Sequence, residues 1–202
     1  MPKKIIVRKK VLNMNNIFVL LGDSLTFGYG VPLKDSWAYK LSKKLTDIKV
    51  INKGINGDIT PSMLNRYYDD VISLNPSKIF IMGGTNDLLC GRSVKSIVDN
   101  IELMIKDSKD SKIILGIPPC IKKEMAEKLF LPSEFYSYCT ENLPVLREEL
   151  IKLCNSYSIT YADFYSLTSS NINNNIYVDG VHLNSPGNNL LLKELLKIMD
   201  LL

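Results

Sequence analysis

The chain has 202 residues, of which 46% are hydrophobic and 23% charged, and this length and composition are those of one globular domain. Its net charge of +4 is concentrated at the start, because residues 1–13 hold five basic side chains and no acid, whereas residues 14–202 carry 20 basic and 21 acidic ones. The near-neutral body argues against a nucleic-acid-binding domain. We expect residues 1–13 to form a basic extension outside a single domain that spans residues 14–202.

The N-terminal region lacks the features of a membrane span or an export signal. Its longest apolar run, Ile17–Leu21, has five residues, whereas a membrane-spanning helix needs about 18 or more. The basic start is followed by an Asn-rich stretch, and no small-residue cleavage site precedes Gly22, as a signal peptide would require. These features predict a cytoplasmic protein without integral membrane association.

Short apolar runs alternate along the chain with segments of helical periodicity. Beginning with a strand, the pattern predicts strands and helices in turn at Ile17–Leu21, Ser36–Thr46, Lys49–Asn52, Pro61–Leu74, Ile79–Met82, Ser93–Lys106, Lys112–Ile117, Glu141–Tyr157, Ile159–Ala162 and Ser185–Leu202. Such an alternation predicts an α/β sandwich around a mainly parallel sheet of five strands. Sites in such sheets form where the strands end and the chain leaves for the next helix.

Four clusters of polar and glycine residues lie at this edge of the predicted sheet. They are Gly22-Asp23-Ser24-Leu25 after the first strand, residues 52–58 after the second, Gly83-Gly84-Thr85-Asn86-Asp87 after the third, and residues 179–184 before the last helix. Each cluster alone is typical of a turn or a helix cap. Together they bring a serine, an asparagine and the chain's single histidine, which follows an aspartate by three residues, to one edge.

This set of residue types matches what acyl transfer to a serine requires. Ser24 would be the nucleophile, His182 the base that takes its proton, and Asp179 the carboxylate that orients the imidazole. The backbone N–H groups of Ser24 and Gly54 and the side-chain amide of Asn86 would form the oxyanion hole. The four cysteines have no metal-ligand spacing and only one histidine is present, so we expect free thiols, no metal site and no cofactor.

The four clusters resemble the conserved blocks of the GDSL hydrolases, in particular of the SGNH subgroup, which is named for its Ser, Gly, Asn and His. Gly22-Asp23-Ser24-Leu25 is similar to the first block, the Gly54 loop to the second, Gly84-Thr85-Asn86-Asp87 to the third and Asp179-Gly180-Val181-His182 to the fifth. The resemblance spans about residues 17–190. It implies a flavodoxin-like three-layer α/β/α fold and metal-free hydrolysis of an ester or thioester at a shallow, adaptable site.

Substrate-binding residues are predicted less directly. Candidates that adjoin the clusters or follow a strand at the same edge are Asp23, Leu25, Asp87, Pro118 and Val181. The irregular segment of residues 118–144 would lie over the site. Its apolar candidates for a pocket are Leu129, Phe130, Leu131, Phe135, Tyr136 and Tyr138. The alternative is that this segment packs on the core as an ordinary amphipathic helix and loop.

Several functions remain open from the sequence. Carboxylesterase, lysophospholipase, thioesterase and carbohydrate O-acetyl esterase activities would all use the same residues on a small-molecule ester or thioester. A non-catalytic flavodoxin-like binding module would keep the clusters only as turns. Formation of a homo-oligomer through the apolar helix Leu190–Leu202 is compatible with each of these functions.

Overall fold

The computed structural model describes residues 16–108 and 110–199, so the predicted basic extension and the end of the predicted C-terminal helix lie outside the described residues. Five strands form one parallel sheet in the order β2-β1-β3-β4-β5. The strands are β1 (Ile17–Gly22), β2 (Lys49–Gly54), β3 (Lys78–Met82), β4 (Lys112–Ile117) and β5 (Thr160–Asp163). The predicted five-stranded parallel sheet is therefore confirmed.

Ten helices and two short 3₁₀ turns connect these strands within the described residues. The helices are α1 (Ser24–Phe27), α2 (Trp37–Lys44), α3 (Thr60–Asn65), α4 (Tyr67–Asp70), α5 (Thr85–Leu89), α6 (Val94–Lys106), α7 (Lys123–Phe130), α8 (Glu134–Tyr157), α9 (Phe164–Ser169) and α10 (Ser185–Met199), and the 3₁₀ turns are Leu33–Asp35 and Ile72–Leu74. Among these described helices, none combines the length and the apolar character needed to cross a membrane.

Successive side chains of each strand point to opposite faces of the sheet, and in β1 both sets are apolar. Helices therefore cover both faces. Phe18 and Leu20 of β1 are buried on one face, together with apolar residues of α2 and α10. Val19 and Leu21 are buried on the other face, together with apolar residues of α6 and α8. This arrangement confirms the three-layer α/β/α fold.

The apolar face of α10 packs against the sheet of its own chain. Leu191, Leu192, Leu195 and Ile198 are buried there. In the part of this helix that the structure describes, these four side chains are therefore used inside the fold, and self-association stays a prediction.

The predicted helix Pro61–Leu74 is divided in the structure into α3, α4 and a 3₁₀ turn. The break falls at Arg66, whose backbone leaves the regular helical conformation at φ −95° and ψ 3°. The next side chain, Tyr67, is 2% exposed and hydrogen-bonds with the Ser108 hydroxyl inside the core. The continuous helix that the periodicity predicted is therefore interrupted, because Tyr67 inserts into the core and Arg66 binds other segments.

The segment predicted as irregular contains α7 and the first part of α8, which begins at Glu134 and not at Glu141. Pro144 lies inside α8, where it removes one backbone N–H from the helical hydrogen bonds. The helix continues through Pro144 because its buried face, which includes Cys139, Leu143 and Leu146, packs against the core on both sides of the proline.

The turn after β1 is fixed by hydrogen bonds from separate parts of the chain. Asp23 caps α1, since its Oδ1 accepts the Leu25 N–H at 2.8 Å. The indole N–H of Trp37, the only tryptophan in the chain, donates to the Leu25 carbonyl at 2.8 Å. The Trp37 backbone N–H in turn donates to Asn188 Oδ1 of α10 at 3.1 Å. Ser24, the first residue of α1, is thus held between the sheet, α2 and α10.

The carboxyl group of Asp23 is buried directly beside Ser24, with 1% of the residue exposed. Burial raises the pKa of Asp23 from 3.8 to about 7, although the hydrogen bond from Leu25 and the charge of His182 act in the opposite direction. An unfolded chain would lose this proton near pH 4, whereas the folded chain keeps it up to about pH 7. Between these values the folded state binds more protons, so rising pH lowers its stability.

We predict that Asp23→Asn removes this dependence and makes the protein more stable than the unaltered chain above pH 7. Asparagine keeps an oxygen that can accept the Leu25 N–H, but it has no proton to lose. At about 1.4 kcal/mol per pKa unit, the gain should reach at most about 4 kcal/mol. Urea unfolding of both proteins near pH 5 and near pH 8 measures the difference in their free energies of unfolding. Asp69→Asn, which removes an exposed carboxyl group, is the control. Equal pH dependence in Asp23→Asn and in the unaltered chain would contradict the prediction.

Candidate active site

Ser24, His182 and Asp179 form a continuous chain of hydrogen bonds at the edge where the strands end. The Ser24 Oγ lies 2.9 Å from His182 Nε2, and His182 Nδ1 lies 2.7 Å from Asp179 Oδ2. Because an ionised carboxylate can only accept, Nδ1 carries the proton and Nε2 accepts from the Ser24 hydroxyl. In this tautomer the imidazole can take the proton of Ser24.

The turn from Asp179 to His182 fixes the carboxylate that orients the ring. Asp179 Oδ1 accepts the backbone N–H of Val181 at 2.9 Å and that of His182 at 2.7 Å. Burial by itself raises the pKa of Asp179, but the hydrogen bonds from the His182 ring and from these two N–H groups outweigh burial and hold the pKa below its usual value. Asp179 is therefore ionised at neutral pH.

Tyr29 contacts the imidazole from outside this chain of hydrogen bonds, and the sequence reasoning missed it. Its ring centroid lies 4.6 Å from that of His182, with 53° between the ring planes. On another side, the Val178 N–H donates to the His182 carbonyl at 2.8 Å. The only signal for Tyr29 in the sequence is its position five residues after Ser24, which does not distinguish it from an ordinary loop residue.

Asn86, at the start of α5, is bonded to the loop of residues 55–58 that follows β2. Its Nδ2 donates to the Asp58 carbonyl at 2.9 Å, which occupies one of the two N–H bonds of the amide. The same loop is attached to β1, because the Ile55 N–H donates to the Gly22 carbonyl at 3.0 Å. The ends of three neighbouring strands are thus joined by hydrogen bonds beside Ser24.

Gly54 does not have the place in the oxyanion hole that the sequence predicted. It is the last residue of β2, and its N–H donates to Asn52 Oδ1 at 2.9 Å. A Cβ at this position would lie 2.3 Å from the Phe27 backbone nitrogen. Glycine is therefore needed at position 54 so that α1 can approach β2 closely, and its N–H is already occupied.

Gly57, in the loop that follows β2, is better placed than Gly54 to offer a free backbone N–H. It is exposed, its φ is +77°, and such a conformation favours glycine. Its backbone N–H has no acceptor among residues 16–108 and 110–199, and it precedes Asp58, which is bonded to Asn86. The sequence reasoning ended β2 at Asn52, two residues too early, and so placed the exposed loop around Gly54.

The five predicted substrate-binding residues are buried. The structure gives Asp23 the role of a helix cap and packs Leu25 and Val181 in the core. Asp87 is 0% exposed and accepts the Thr60 N–H at 2.9 Å and the Thr60 hydroxyl at 2.7 Å; burial raises the pKa of Asp87 despite these bonds. Pro118 is also buried. These residues therefore belong to the buried part of the fold next to the site, and their contact with substrate stays a prediction.

Residues 118–144 are joined to the neighbourhood of the site by hydrogen bonds that include those from the Lys122 N–H to the Gly180 carbonyl at 2.7 Å and from the Cys139 thiol to the Thr85 carbonyl at 4.0 Å. The six apolar candidates of this segment do not share one environment. Tyr136 and Tyr138 are partly buried against the core. The exposed members are Leu129, Phe130, Leu131 and Phe135. The position of the two tyrosines agrees with the alternative of ordinary packing on the core, and a substrate pocket in this segment stays a prediction.

The described residues supply a hydroxyl bonded to a base, a carboxylate bonded to that base, and an amide donor on an adjacent strand end. This combination is suited to nucleophilic attack by Ser24 with proton transfer through His182. Within residues 16–108 and 110–199, no group of three or more His, Cys, Asp or Glu side chains is arranged to hold a metal ion.

Comparisons with known proteins bear on the family. The model of the GDSL-like lipase/acylhydrolase family matches residues 20–190. An arylesterase of Vibrio mimicus is 33% identical over an alignment of 121 positions, which covers 55% of this chain and 60% of that protein. The matched part thus spans about three fifths of that curated relative.

Two solved structures show the same fold at lower sequence identity. A member of the lipolytic protein G-D-S-L family from Veillonella parvula has a TM-score of 0.79 and 22% identity, over 92% of this chain and 99% of that chain. A catalytic mutant of an acetylxylan esterase from Geobacillus stearothermophilus has a TM-score of 0.76 and 17% identity, over 91% of this chain and 94% of that chain. Because the family model extends from β1 to the first turns of α10, the protein belongs to the GDSL-like lipase/acylhydrolase family.

Proposed function

We propose that the protein hydrolyses carboxylic esters through an acyl-enzyme formed on Ser24. The observation that carries the proposal is the hydrogen-bonded chain from the Ser24 hydroxyl through His182 to the ionised Asp179. Family membership and the partial match to an arylesterase agree with it.

In the first half of the reaction, Ser24 Oγ forms a bond to the ester carbonyl carbon while its proton passes to His182 Nε2. The bond between the carbonyl carbon and the alcohol oxygen then breaks. The alcohol oxygen takes the proton from His182 and leaves as the free alcohol. Asp179 keeps the ring oriented and stabilises the imidazolium that forms in between. The acyl group remains on Ser24.

In the second half, a water molecule takes the place of the alcohol. His182 removes a proton from that water, the resulting hydroxide attacks the acyl carbon, and the Ser24–acyl bond breaks as the proton returns to Ser24. The carboxylic acid is released and the free hydroxyl is restored.

In both halves, negative charge develops on the carbonyl oxygen and needs donors already in place. We assign this role to the backbone N–H groups of Ser24 and Gly57 and to the second N–H of the Asn86 amide. The hydrogen bond from Asn86 to the Asp58 carbonyl supports the assignment, because it fixes the amide plane before substrate binds. This assignment replaces Gly54 with Gly57.

Exposed apolar side chains beside the site favour esters with an apolar acyl or alcohol part. Phe27, Tyr29, Ile55 and Val178, which we call the apolar rim, are between 39% and 49% exposed. Each is near a residue of the site. The Tyr29 ring lies tilted against the His182 ring, and the Val178 N–H donates to the His182 carbonyl. Phe27 belongs to α1, and Ile55 begins the loop that contains Gly57. Contact with this rim would favour aryl and alkyl esters over acetylated carbohydrates, whose surfaces are polar.

The alternatives left open by the sequence are less well supported. A non-catalytic binding module has no need for a serine hydroxyl that contacts an oriented imidazole. Carbohydrate O-acetyl esterase activity would agree with the acetylxylan esterase that shares the fold, but 17% identity concerns the fold only, and the apolar rim favours a different leaving group.

We predict that Ser24→Ala and His182→Ala each nearly abolish hydrolysis of p-nitrophenyl acetate, and that the double variant is little worse than either one, because the residues act as a unit. Initial rates over a series of p-nitrophenyl esters, with circular dichroism to verify folding, measure this. Additive losses in the double variant, or a Ser24→Ala variant with full activity, would overturn the serine mechanism.

Asn86→Ala should lower kcat by about 10²–10³-fold, the usual effect of losing one oxyanion donor. The matched control is Asn100→Ala, which removes a partly buried amide that donates to the Thr60 hydroxyl at 3.0 Å and has no place in the proposed mechanism. Steady-state kinetics of both variants separate kcat from KM. Unchanged kcat in Asn86→Ala would remove this residue from the oxyanion hole.

Phe27→Gln should raise KM for phenyl acetate about fivefold and leave KM for methyl acetate unchanged, because about 40 Å² of apolar contact corresponds to roughly 1 kcal/mol. Tyr68→Gln, which changes an aromatic side chain that is 69% exposed on α4, is the control. Equal effects of the two substitutions, or a preference of the unaltered chain for acetylated xylo-oligosaccharides, would contradict the role of the apolar rim.

A further inference from the structure

We propose that Arg66 is a positioning residue for the oxyanion hole, which it assembles by joining the loop of residues 55–58 to the end of β1. The inference rests on the proposed function, since it concerns the donors that would stabilise the oxyanion. No motif in the sequence reasoning included Arg66.

The guanidinium of Arg66 binds the loop through Asp58. Arg66 Nε and Nη2 each lie 2.8 Å from Asp58 Oδ2, and the other carboxylate oxygen accepts the Ile59 N–H at 3.1 Å. Asp58 is 8% exposed. A carboxylate so far from water depends on its partners, so Arg66 determines where this part of the loop lies.

The same guanidinium also binds the turn that carries the nucleophile. Arg66 Nη2 donates to the Gly22 carbonyl at 3.1 Å, two residues before Ser24, and that carbonyl accepts the Ile55 N–H as well. The backbone carbonyl of Asp58 accepts from Asn86. Through these contacts, Arg66 links the segments that carry all three proposed oxyanion donors.

The third side of the guanidinium is held by Asp70. Arg66 Nη1 lies 2.7 Å from Asp70 Oδ2, and Lys53 Nζ lies 2.7 Å from Asp70 Oδ1. Two cations and two carboxylates therefore form a neutral cluster below the loop. The side chain of Arg66 is 15% exposed, and a planar fork with several donors can satisfy Asp58, Asp70 and a carbonyl at once, which a single ammonium group cannot.

The backbone around Arg66 provides a second observation. The predicted continuous helix is interrupted at this residue. The interruption turns the side chain towards Asp58 and Gly22 while Tyr67 enters the core. The regular helix is thus interrupted at Arg66, whose side chain joins the loop to β1.

The test uses the full chain and a fluorophosphonate probe, which reacts with Ser24 by forming an oxygen–phosphorus bond and releasing fluoride. Arg66→Met should slow this labelling and lower kcat for p-nitrophenyl acetate by up to about 10²-fold, the effect of misplacing reacting groups by about 1 Å. KM and the final extent of labelling should stay near those of the unaltered chain, because Ser24, His182 and the apolar rim are unchanged.

Arg147→Met is the matched control. Arg147 binds Asp163 Oδ2 through Nε at 2.8 Å and Nη2 at 2.7 Å, the same arrangement as between Arg66 and Asp58, but at the end of β5. Both variants lose an ion pair of this geometry, Arg66→Met loses the Asp70 pair in addition, and thermal unfolding measures the loss of stability in each. Only the Arg66 variant should lose labelling rate at temperatures where both are folded. In Arg66→Ala, a non-denaturing concentration of guanidinium should restore part of the rate.

The outcomes separate the inference from the function on which it rests. A reactive Ser24 in the unaltered chain, with an unchanged rate in Arg66→Met or equal losses in both arginine variants, would overturn the positioning role alone. A Ser24 that does not react in the unaltered chain would overturn the proposed function and this inference with it.

Discussion

The site depends on the parallel register in which Gly22 of β1 lies between Gly54 of β2 and Met82 of β3. Since these three strands end level with one another, the segments that follow them begin at the same height above the sheet. The short distances from Gly22 to the loop after β2, and from that loop to Asn86, are consequences of this register. A shift of one strand by a single residue would separate the nucleophile from the amide donors and also turn each side chain of that strand to the opposite face.

Buried aspartates hold the turns at this edge of the sheet. Asp23, Asp58, Asp87 and Asp179 are each 8% exposed or less, and each accepts at least one backbone N–H from a turn. Only one of them, Asp179, contacts the histidine. The other three hold the surrounding turns. Burial of so many acids opposes stability, and the fold offsets it in different ways: Asp58 is paired with Arg66, whereas Asp23 keeps its proton to about pH 7.

The sequence was a good guide wherever a local pattern matched the tertiary structure. The boundaries of β1, β3 and β4 agree with the predictions to within one residue, because uninterrupted apolar runs bounded by glycine or proline leave few alternatives. Ser24, Asp179 and His182 could be predicted to lie together because their chemistry is specific and the topology brings these segments to one edge. The structure confirmed that these three side chains are in contact.

The features that the sequence did not reveal depend on contacts between distant segments. The pairing with Gly22 of β1 places Gly54 in β2. Its N–H is bonded to Asn52 and its Cα lies close to Phe27, and none of these contacts is visible in a local pattern. The sequence around Arg66 has regular helical periodicity, but the helix is interrupted there because the Arg66 side chain hydrogen-bonds to Gly22 and Asp58. Burial of Asp23, Leu25 and Asp87 likewise follows from packing that motif position alone cannot show.

The hydrogen bond from the Trp37 indole to the Leu25 carbonyl connects a single buried chromophore to the turn that carries Ser24. Because the chain has no second tryptophan, fluorescence excited at wavelengths that its tyrosines do not absorb comes from one residue of known environment. Indole emission is sensitive to hydrogen bonding and to nearby polarity, so the spectrum reports on the backbone next to the nucleophile without any label. Movements of this turn during ligand binding can therefore be followed optically in the unmodified protein.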